Sequence, residues 1–229
     1  MIKTENLVEM KNNELAENSS LIPLDTGDKE FDMLMGLYDT AKKDIVDKLN
    51  IIQEYLNDSY EYEVVNHITS RIKSKESIIG KMKKKEYDMT YNDLIEKVND
   101  IAGIRVICTF KSDIYKVRKI IAQIPNIRIL KEKDYVKNPK KSGYMGYHVI
   151  LEDFIKYDDT YIPIKVEIQI RSLAMDFWAT TEHKIKYKKK HELSKKDSRK
   201  MKIYAKILNI LDENIMNIYE KQLEGKRKL

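Results

Sequence analysis

Across the run "YIPIKVEIQIRS", residues 161–172, Val166, Ile168 and Ile170 alternate with Glu167, Gln169 and Arg171. A period of two marks a strand buried on one face, so this segment belongs in a sheet with an apolar side packed and a polar side open. The preceding run "YHVILEDF" is also strand-like, and "KYDDT" between them supplies turn residues, which predicts a hairpin. An acid, an amide and a guanidinium side by side on one face of a strand form either a wet edge or a site.

The rest of the chain supplies what would cover such a sheet. Apolar residues recur at helical spacing from Phe31 to Leu56, predicting an amphipathic helix in which a break is allowed. Further helices are expected over 63–85 and 91–100, then a buried strand at "GIRVICTF" and a helix at "DIYKVRKIIAQI" that Pro125 ends. Helix resumes near Leu173 and again over 194–223. This order predicts an α/β (α+β) chain, a mixed β-sheet flanked by helices with added N- and C-terminal helices. Residues 1–28 read as a flexible tail, 29–62 as an N-terminal helical region and 191–229 as a C-terminal helical region suited to self-association.

At 229 residues the chain can bury one good-sized core and is short for two ordinary domains. Hydrophobic residues make up 42% and charged residues 35%, the balance of a folded, heavily charged protein. No apolar run approaches membrane-spanning length and the N-terminal segment is too polar for a signal peptide, so no membrane contact and a cytoplasmic location are expected. The one cysteine, Cys108, lies in the apolar run "IRVICTF" and reads as a buried, inert thiol. A net charge of +6 fits a polyanionic ligand and a lysine-rich surface alike.

Several familiar chemistries are absent. The chain has neither G-x-x-x-x-G-K-[ST] nor G-x-G-x-x-G, so it lacks the phosphate cradles of P-loop and Rossmann proteins. Its histidines have no His or Cys partner at zinc-site spacing. "GYMG" matches the G-x-x-G of a KH loop, but that loop joins two helices and this one runs into a strand.

Four polar clusters remain. In "RIKSKESIIGKMKKK", steps of three and four residues can place much of Arg71, Lys73, Ser77, Lys81 and Lys84 on one side of a helix, a surface for a triphosphate or simply a solvated basic face. In "DIAGIR", Asp100 precedes a strand that contains Arg105, a junction that suits a Mg²⁺ ligand or a surface carboxylate. "NPKKSGYMGYH" sets two of the chain's seven glycines around Tyr144, close to Lys140 and His148. Lysines beside such a turn can neutralise phosphates and an exposed tyrosine face can stack on a purine, although an ordinary β-turn covering the sheet edge has the same composition. The last cluster is Glu167, Gln169 and Arg171, with Asp176, Thr180 and His183 on one stripe of the following helix and Trp178 reading as core.

The ordered set "RIKSKES", "DIAGIRVI", "DYVKNPKKSGYMGYH", "VEIQIRS" and "MDFWATTEHKIKY" resembles the synthetase domain of the RelA/SpoT family, in particular its stand-alone small alarmone synthetases. The resemblance covers about Val64 to Lys190, so residues 63–190 are expected to be the catalytic domain, with the nucleotidyltransferase-like mixed sheet of that family. It implies transfer of the β,γ-pyrophosphate of ATP to the 3′-hydroxyl of GDP or GTP, giving (p)ppGpp and AMP. By motif, Arg71, Lys73, Ser77, Lys81 and Lys84 would hold ATP phosphates, and Arg71 and Arg105 would stack on adenine. Asp100 and Glu167 would hold Mg²⁺, with Glu167 as base, metal ligand or both. Tyr144 would stack on guanine, Lys140 and His148 would lie near the acceptor's phosphates, Gln169 beside that nucleotide, and Asp176 could accept from guanine N1–H and N2–H₂.

Long members of the family add a hydrolase built around a His-Asp pair; this chain has no His-Asp dipeptide, so a synthetase without hydrolase activity is expected. Small members form homotetramers, and some are regulated by alarmone or RNA. The competing readings are a toxin-like relative that acts on adenine nucleotides or tRNA 3′ ends, supported by the basic run 184–202, and a non-catalytic RNA-binding module with Tyr144 as a stacking platform.

Overall fold

In the computed structural model, which describes residues 23–25, 27, 29–187 and 194–226, the expected hairpin lies inside a five-stranded sheet. Strands β4 (Tyr147–Tyr157) and β5 (Thr160–Ser172) pair antiparallel down to Tyr157 and Thr160. Asp158, in the turn, takes a positive φ of 49°, which a short polar side chain tolerates better than most. On its other side β5 runs parallel to β2 (Ala102–Cys108), which pairs antiparallel with β1 (Val65–Ile72). Strand β3 (Ile127–Asp134) closes the far edge against β4, giving the order β1-β2-β5-β4-β3 with one parallel pair.

The alternation in β5 has the predicted effect. Val166, Ile168 and Ile170 are buried with Ile104 and Val106 of β2 and Val149 and Leu151 of β4. Helix α1 (Lys29–Ser59) lies over this face, contributing Phe31, Leu34, Ala41, Ile45, Leu49, Ile52 and Leu56 at helical spacing. It runs unbroken from end to end. Burying one such Leu or Ile stabilises by roughly 1.5–3 kcal/mol, so this seam holds helix and sheet in one core. Helix α4 (Asp113–Ile121) adds Ile114, Val117 and Ile121 to it and ends short of Pro125. Cys108 is buried here, and burial pushes its thiol well above the ordinary range, as expected of an inert residue.

The helix expected over 63–85 is a strand followed by a helix. Val65, Ile68, Thr69 and Ile72 are β-branched, and pairing with β2 satisfies the backbone of β1. Chain direction then changes at Lys73 and Ser74, where the Ser74 hydroxyl accepts from the Ser77 N–H at 3.3 Å and caps α2 (Lys75–Lys84). Helix α3 (Tyr91–Lys97), capped by Thr90, stops before Asp100, which leaves that carboxylate in the connection entering β2. Strand β3 was not anticipated. It is an edge strand whose "IRILKEKD" exposes Arg128, Lys131 and Lys133 together with Leu130, and a register irregularity between Ile129 and Lys131 breaks the alternation.

Helices α5 (Leu173–Tyr187) and α6 (Lys195–Lys226) follow β5. Ser172 donates to the buried Asp212 carboxylate of α6 and also accepts from the Met175 N–H at 3.2 Å, so one hydroxyl joins the end of β5 to both helices. Most of the tail expected over 1–28, and part of the basic run 184–202, lie outside the described residues. Among the described residues no helix is long and apolar enough to cross a membrane.

Candidate active site

The sheet register lines its polar residues up in rungs. Arg71 pairs with Gly103 and Gly103 with Glu167; one rung along, Thr69 pairs with Arg105, Arg105 with Gln169 and Gln169 with His148. Alternation puts these side chains on the face opposite the core. At Gly103 an added Cβ would meet nothing nearer than the Arg71 carbonyl oxygen at 4.0 Å, so the missing side chain opens space between Arg71 and Glu167. The result is a cleft of about 90 Å³ lined by Arg71, Asp100, Arg105, Glu167 and Gln169.

Asp100 is held by two cations. Lys73 Nζ donates to Oδ2 at 2.9 Å and Lys81 Nζ, from α2, to Oδ1 at 2.7 Å. Burial raises its pKa, but the Lys81 and Lys73 bonds outweigh this and hold the carboxyl below the usual range. The basic set expected on one helix is therefore divided among strand β1, the following turn and α2. Ser77 bonds within the α2 cap, and neither it nor the exposed Lys84 lines this cleft or the larger cavity beside it.

Glu167 is held from the other side. His148 Nδ1 lies 3.0 Å from Oε1, and Gln169 Nε2 donates to Oε2 at 2.8 Å. Burial again pushes the pKa up, while the His148 and Gln169 contacts bring it below the ordinary value, so this carboxylate is ionised at neutral pH. Tyr144 Oη is 2.6 Å from His148 Nε2, and Arg171 Nη2 donates to Tyr144 Oη at 3.2 Å and to Gln169 Oε1 at 2.7 Å. Arg171 Nη1 reaches Asp176 Oδ1 at 2.8 Å.

Tyr144 departs from the expectation of an exposed face, being only 9% exposed. Its hydroxyl is drawn into the polar network, and the Lys140 ammonium and the Arg171 guanidinium lie 4.8 Å and 5.3 Å from the centre of its ring. Lys140 also caps the ring of Tyr135 at 4.6 Å, and Tyr135 meets His148 edge-on at 5.3 Å. The two loop glycines have separate reasons. At Gly143, with φ of 92°, a Cβ would come within 2.7 Å of Ala205 Cβ on α6. At Gly146, with φ of 154°, it would press within 3.1 Å of Tyr144 Oη and 3.4 Å of Arg171 Cγ.

Beyond Arg71 and Arg105 the cleft continues into a cavity of about 570 Å³ whose walls include Tyr144, Arg171, Thr180 and His183. Burial, then Arg171 and Arg71, lower the Arg105 pKa, which records guanidinium groups crowded with too little negative charge between them. Such a wall suits a planar base with attached phosphates. For a metal, Asp100 and Glu167 line the same cleft, and the Asp100 charge raises the Glu167 pKa. Among the described residues no group of three His, Cys, Asp or Glu could hold an ion; two carboxylates on one cleft are the share of ligands a protein ordinarily gives a Mg²⁺ that also binds phosphates.

Sequence reasoning set Arg171 on the polar face but assigned it no role, although its two-residue step from Gln169 was the available signal. The stripe of Asp176, Thr180 and His183 does turn toward this region, and Trp178 is buried as core.

The region found in RelA / SpoT proteins matches residues 70–192. The chain is 40% identical over 171 residues to GTP pyrophosphokinase YwaC of Bacillus subtilis, covering 75% of this chain and 81% of that one. Its fold matches the small alarmone synthetase 1 from Bacillus subtilis bound to its product pppGpp with a TM-score of 0.78, at 29% identity over 85% of this chain and 98% of that one. For small alarmone synthetase 2 from the same organism the TM-score is 0.76 at 36% identity, over 84% and 100%. The site geometry, the ordered motifs and these likenesses agree: this chain belongs to the RelA/SpoT family.

Proposed function

We propose that the chain is a GTP pyrophosphokinase that transfers the β,γ-pyrophosphate of ATP to the 3′-hydroxyl of GDP or GTP, releasing AMP. The observation that carries this reading is the pairing, in one cleft, of two ionised carboxylates, Asp100 and Glu167, with the guanidiniums of Arg71 and Arg105. The likeness to a synthetase bound to pppGpp supports a guanosine acceptor.

In the proposed reaction the acceptor 3′-oxygen bonds to the β-phosphorus of ATP while the bond from that phosphorus to the α,β-bridging oxygen breaks. Arg71, Lys73 and Lys81 neutralise the donor phosphates, while Ser77 in the first turn of α2 and Lys84 at its end stand outside the cleft and meet only a phosphate that projects from it. Arg71 and Arg105 hold adenine between planar cations. Glu167 orients the 3′-hydroxyl and accepts its proton, held in place by His148 and Gln169. Tyr144 carries the guanine, Lys140 and His148 lie beside the acceptor phosphates, and Asp176 reads the base edge. Asp100 and Glu167 would hold Mg²⁺ with the phosphates, where the ion supplies charge neutralisation to the transferring group.

Residues 63–190 act as the catalytic unit in this reading, and the flanking helices build a homotetramer. Ile203, Ile207, Ile210 and Ile218 support the assembly, since they form one stripe on α6 and are each a little over half exposed. Incubating the protein with Mg²⁺, ATP and each of GMP, GDP, GTP, adenine nucleotides and tRNA tests the reading. AMP release is expected with GDP or GTP; release only with tRNA or adenine nucleotides selects the toxin-like alternative, and none with any acceptor removes enzymatic readings altogether.

A further inference from the structure

The contacts around Glu167 close into a ring. Going one way, Arg171 joins Tyr144, Tyr144 joins His148, and His148 joins Glu167; going the other, Arg171 joins Gln169 and Gln169 joins Glu167. Arginine only donates hydrogen bonds and an ionised carboxylate only accepts them, so both bonds of the Gln169 arm run from Arg171 toward Glu167, and on the other arm Glu167 takes the Nδ1–H of His148. Arg171 donates to the Tyr144 oxygen, which leaves the phenolic proton free to point at His148 Nε2. Arg171 also takes Gln169 Oε1, which turns the amide N–H₂ toward Glu167.

We propose that Arg171 is a positioning residue for the acceptor half of the site. It sets the Gln169 amide and the Tyr144 hydroxyl, and through them the partner that His148 Nε2 meets and the direction in which Glu167 presents its free lone pairs. Its side chain is only 7% exposed and its Nε has no hydrogen-bond partner, so the two Nη groups alone fix its orientation. Nη1 also ties down Asp176, so one guanidinium holds the candidate stacking ring, the candidate base reader and the residues that flank the candidate base. Gly146 belongs to the same device, since a Cβ there would press on both Tyr144 Oη and the Arg171 stem. The inference rests on the reaction proposed above for its kinetic consequences, whereas the ring itself has a readout independent of activity.

The test compares the wild type with Arg171→Met, Arg171→Lys and Gly146→Ala. Nitrogen-15 NMR of the free wild-type protein, with the His148 signals identified by their loss in His148→Gln, reads the Nε2 nitrogen that meets the Tyr144 hydroxyl. Arg171→Met should move the Nε2 signal, because the Tyr144 hydroxyl loses the donor that orients it, while thermal unfolding stays cooperative. In steady-state assays Arg171→Met should raise the acceptor KM and lower kcat by about tenfold each, the cost of losing charged hydrogen bonds. The ATP KM should stay within about twofold, because no bond of the ring reaches the donor lysines. Arg171→Lys should recover part of the loss, and Gly146→Ala should reproduce the acceptor defect without removing any polar group. An unchanged His148 Nε2 signal in Arg171→Met, or equal rises in donor and acceptor KM, overturns the proposal. If the wild type releases no AMP with any acceptor, the reaction assigned above fails, and the Nε2 comparison still decides whether Arg171 directs the ring.

Discussion

Glu167 concentrates the chemistry at the residue scale, because its two oxygens are oriented separately by His148 and Gln169. Replacing it by Gln keeps the size and the Gln169 side of the network but removes the proton acceptor and the charge. Glu167→Gln should lower kcat by about 10²–10⁴, the usual worth of a positioned base, with nucleotide binding by calorimetry changed little. Turnover near that of the wild type would remove Glu167 from the reaction. Tyr144→Ala should raise the acceptor KM and leave the ATP KM nearly unaltered; equal loss of both would mean that the loop had collapsed. Much of this residue set was legible in the sequence, because a strand period of two puts Glu167, Gln169 and Arg171 on one face without further information. The burial of Tyr144 was not legible. It depends on Arg171 arriving from β5 to meet the ring and its hydroxyl, and loop composition alone says only that a ring is present.

Elements show why some boundaries were misread. The segment 63–85 contains both a strand and a helix, and its steps of three and four residues suit the helix well enough to mask the β-branched half. What separates them is a local device, the Ser74 cap of α2, which presents Lys81 toward Asp100. Ser74→Ala should cost about 1 kcal/mol of stability, measured by denaturant titration. A second prediction concerns the seam between α1 and β4. Burial, then the neighbouring Asp44 carboxylate, push Asp153 up to about 6, with Lys48 opposing. An unfolded Asp titrates near 3.9, so between about pH 4 and 6 the folded chain holds a proton that the unfolded chain lacks. This group therefore adds stability as pH falls from about 6 to about 4. Asp153→Asn should flatten that part of the curve in thermal melts of the free protein. Asp100 and Glu167 act in the opposite sense: their lowered pKa values stabilise at neutral pH, and that contribution is lost as pH falls through their folded values.

For the whole molecule, sequence order gave the right class, a mixed sheet with helices, because alternating apolar runs and helical spacing are local signals. The strand order did not follow from it, since the parallel pairing of β2 with β5 and the placement of β3 at the edge are settled by packing across long sequence separations. The outer face of α6 remains apolar while its inner face is pinned through Asp212 and Ser172. If the proposed homotetramer forms through this face, changing Ile207 and Ile210 together to Glu should lower the mass in light scattering, because two carboxylates cannot be buried unpaired in an interface. An unchanged mass would remove this face from the proposed assembly. In the proposed reaction two phosphates move together to one hydroxyl. Incubating γ-labelled ATP with unlabelled GTP and Mg²⁺ and resolving the nucleotides tests this directly. Label should appear in pppGpp with AMP formed in equal amount; label in inorganic phosphate, or a labelled product accompanied by ADP, would contradict a pyrophosphate transfer.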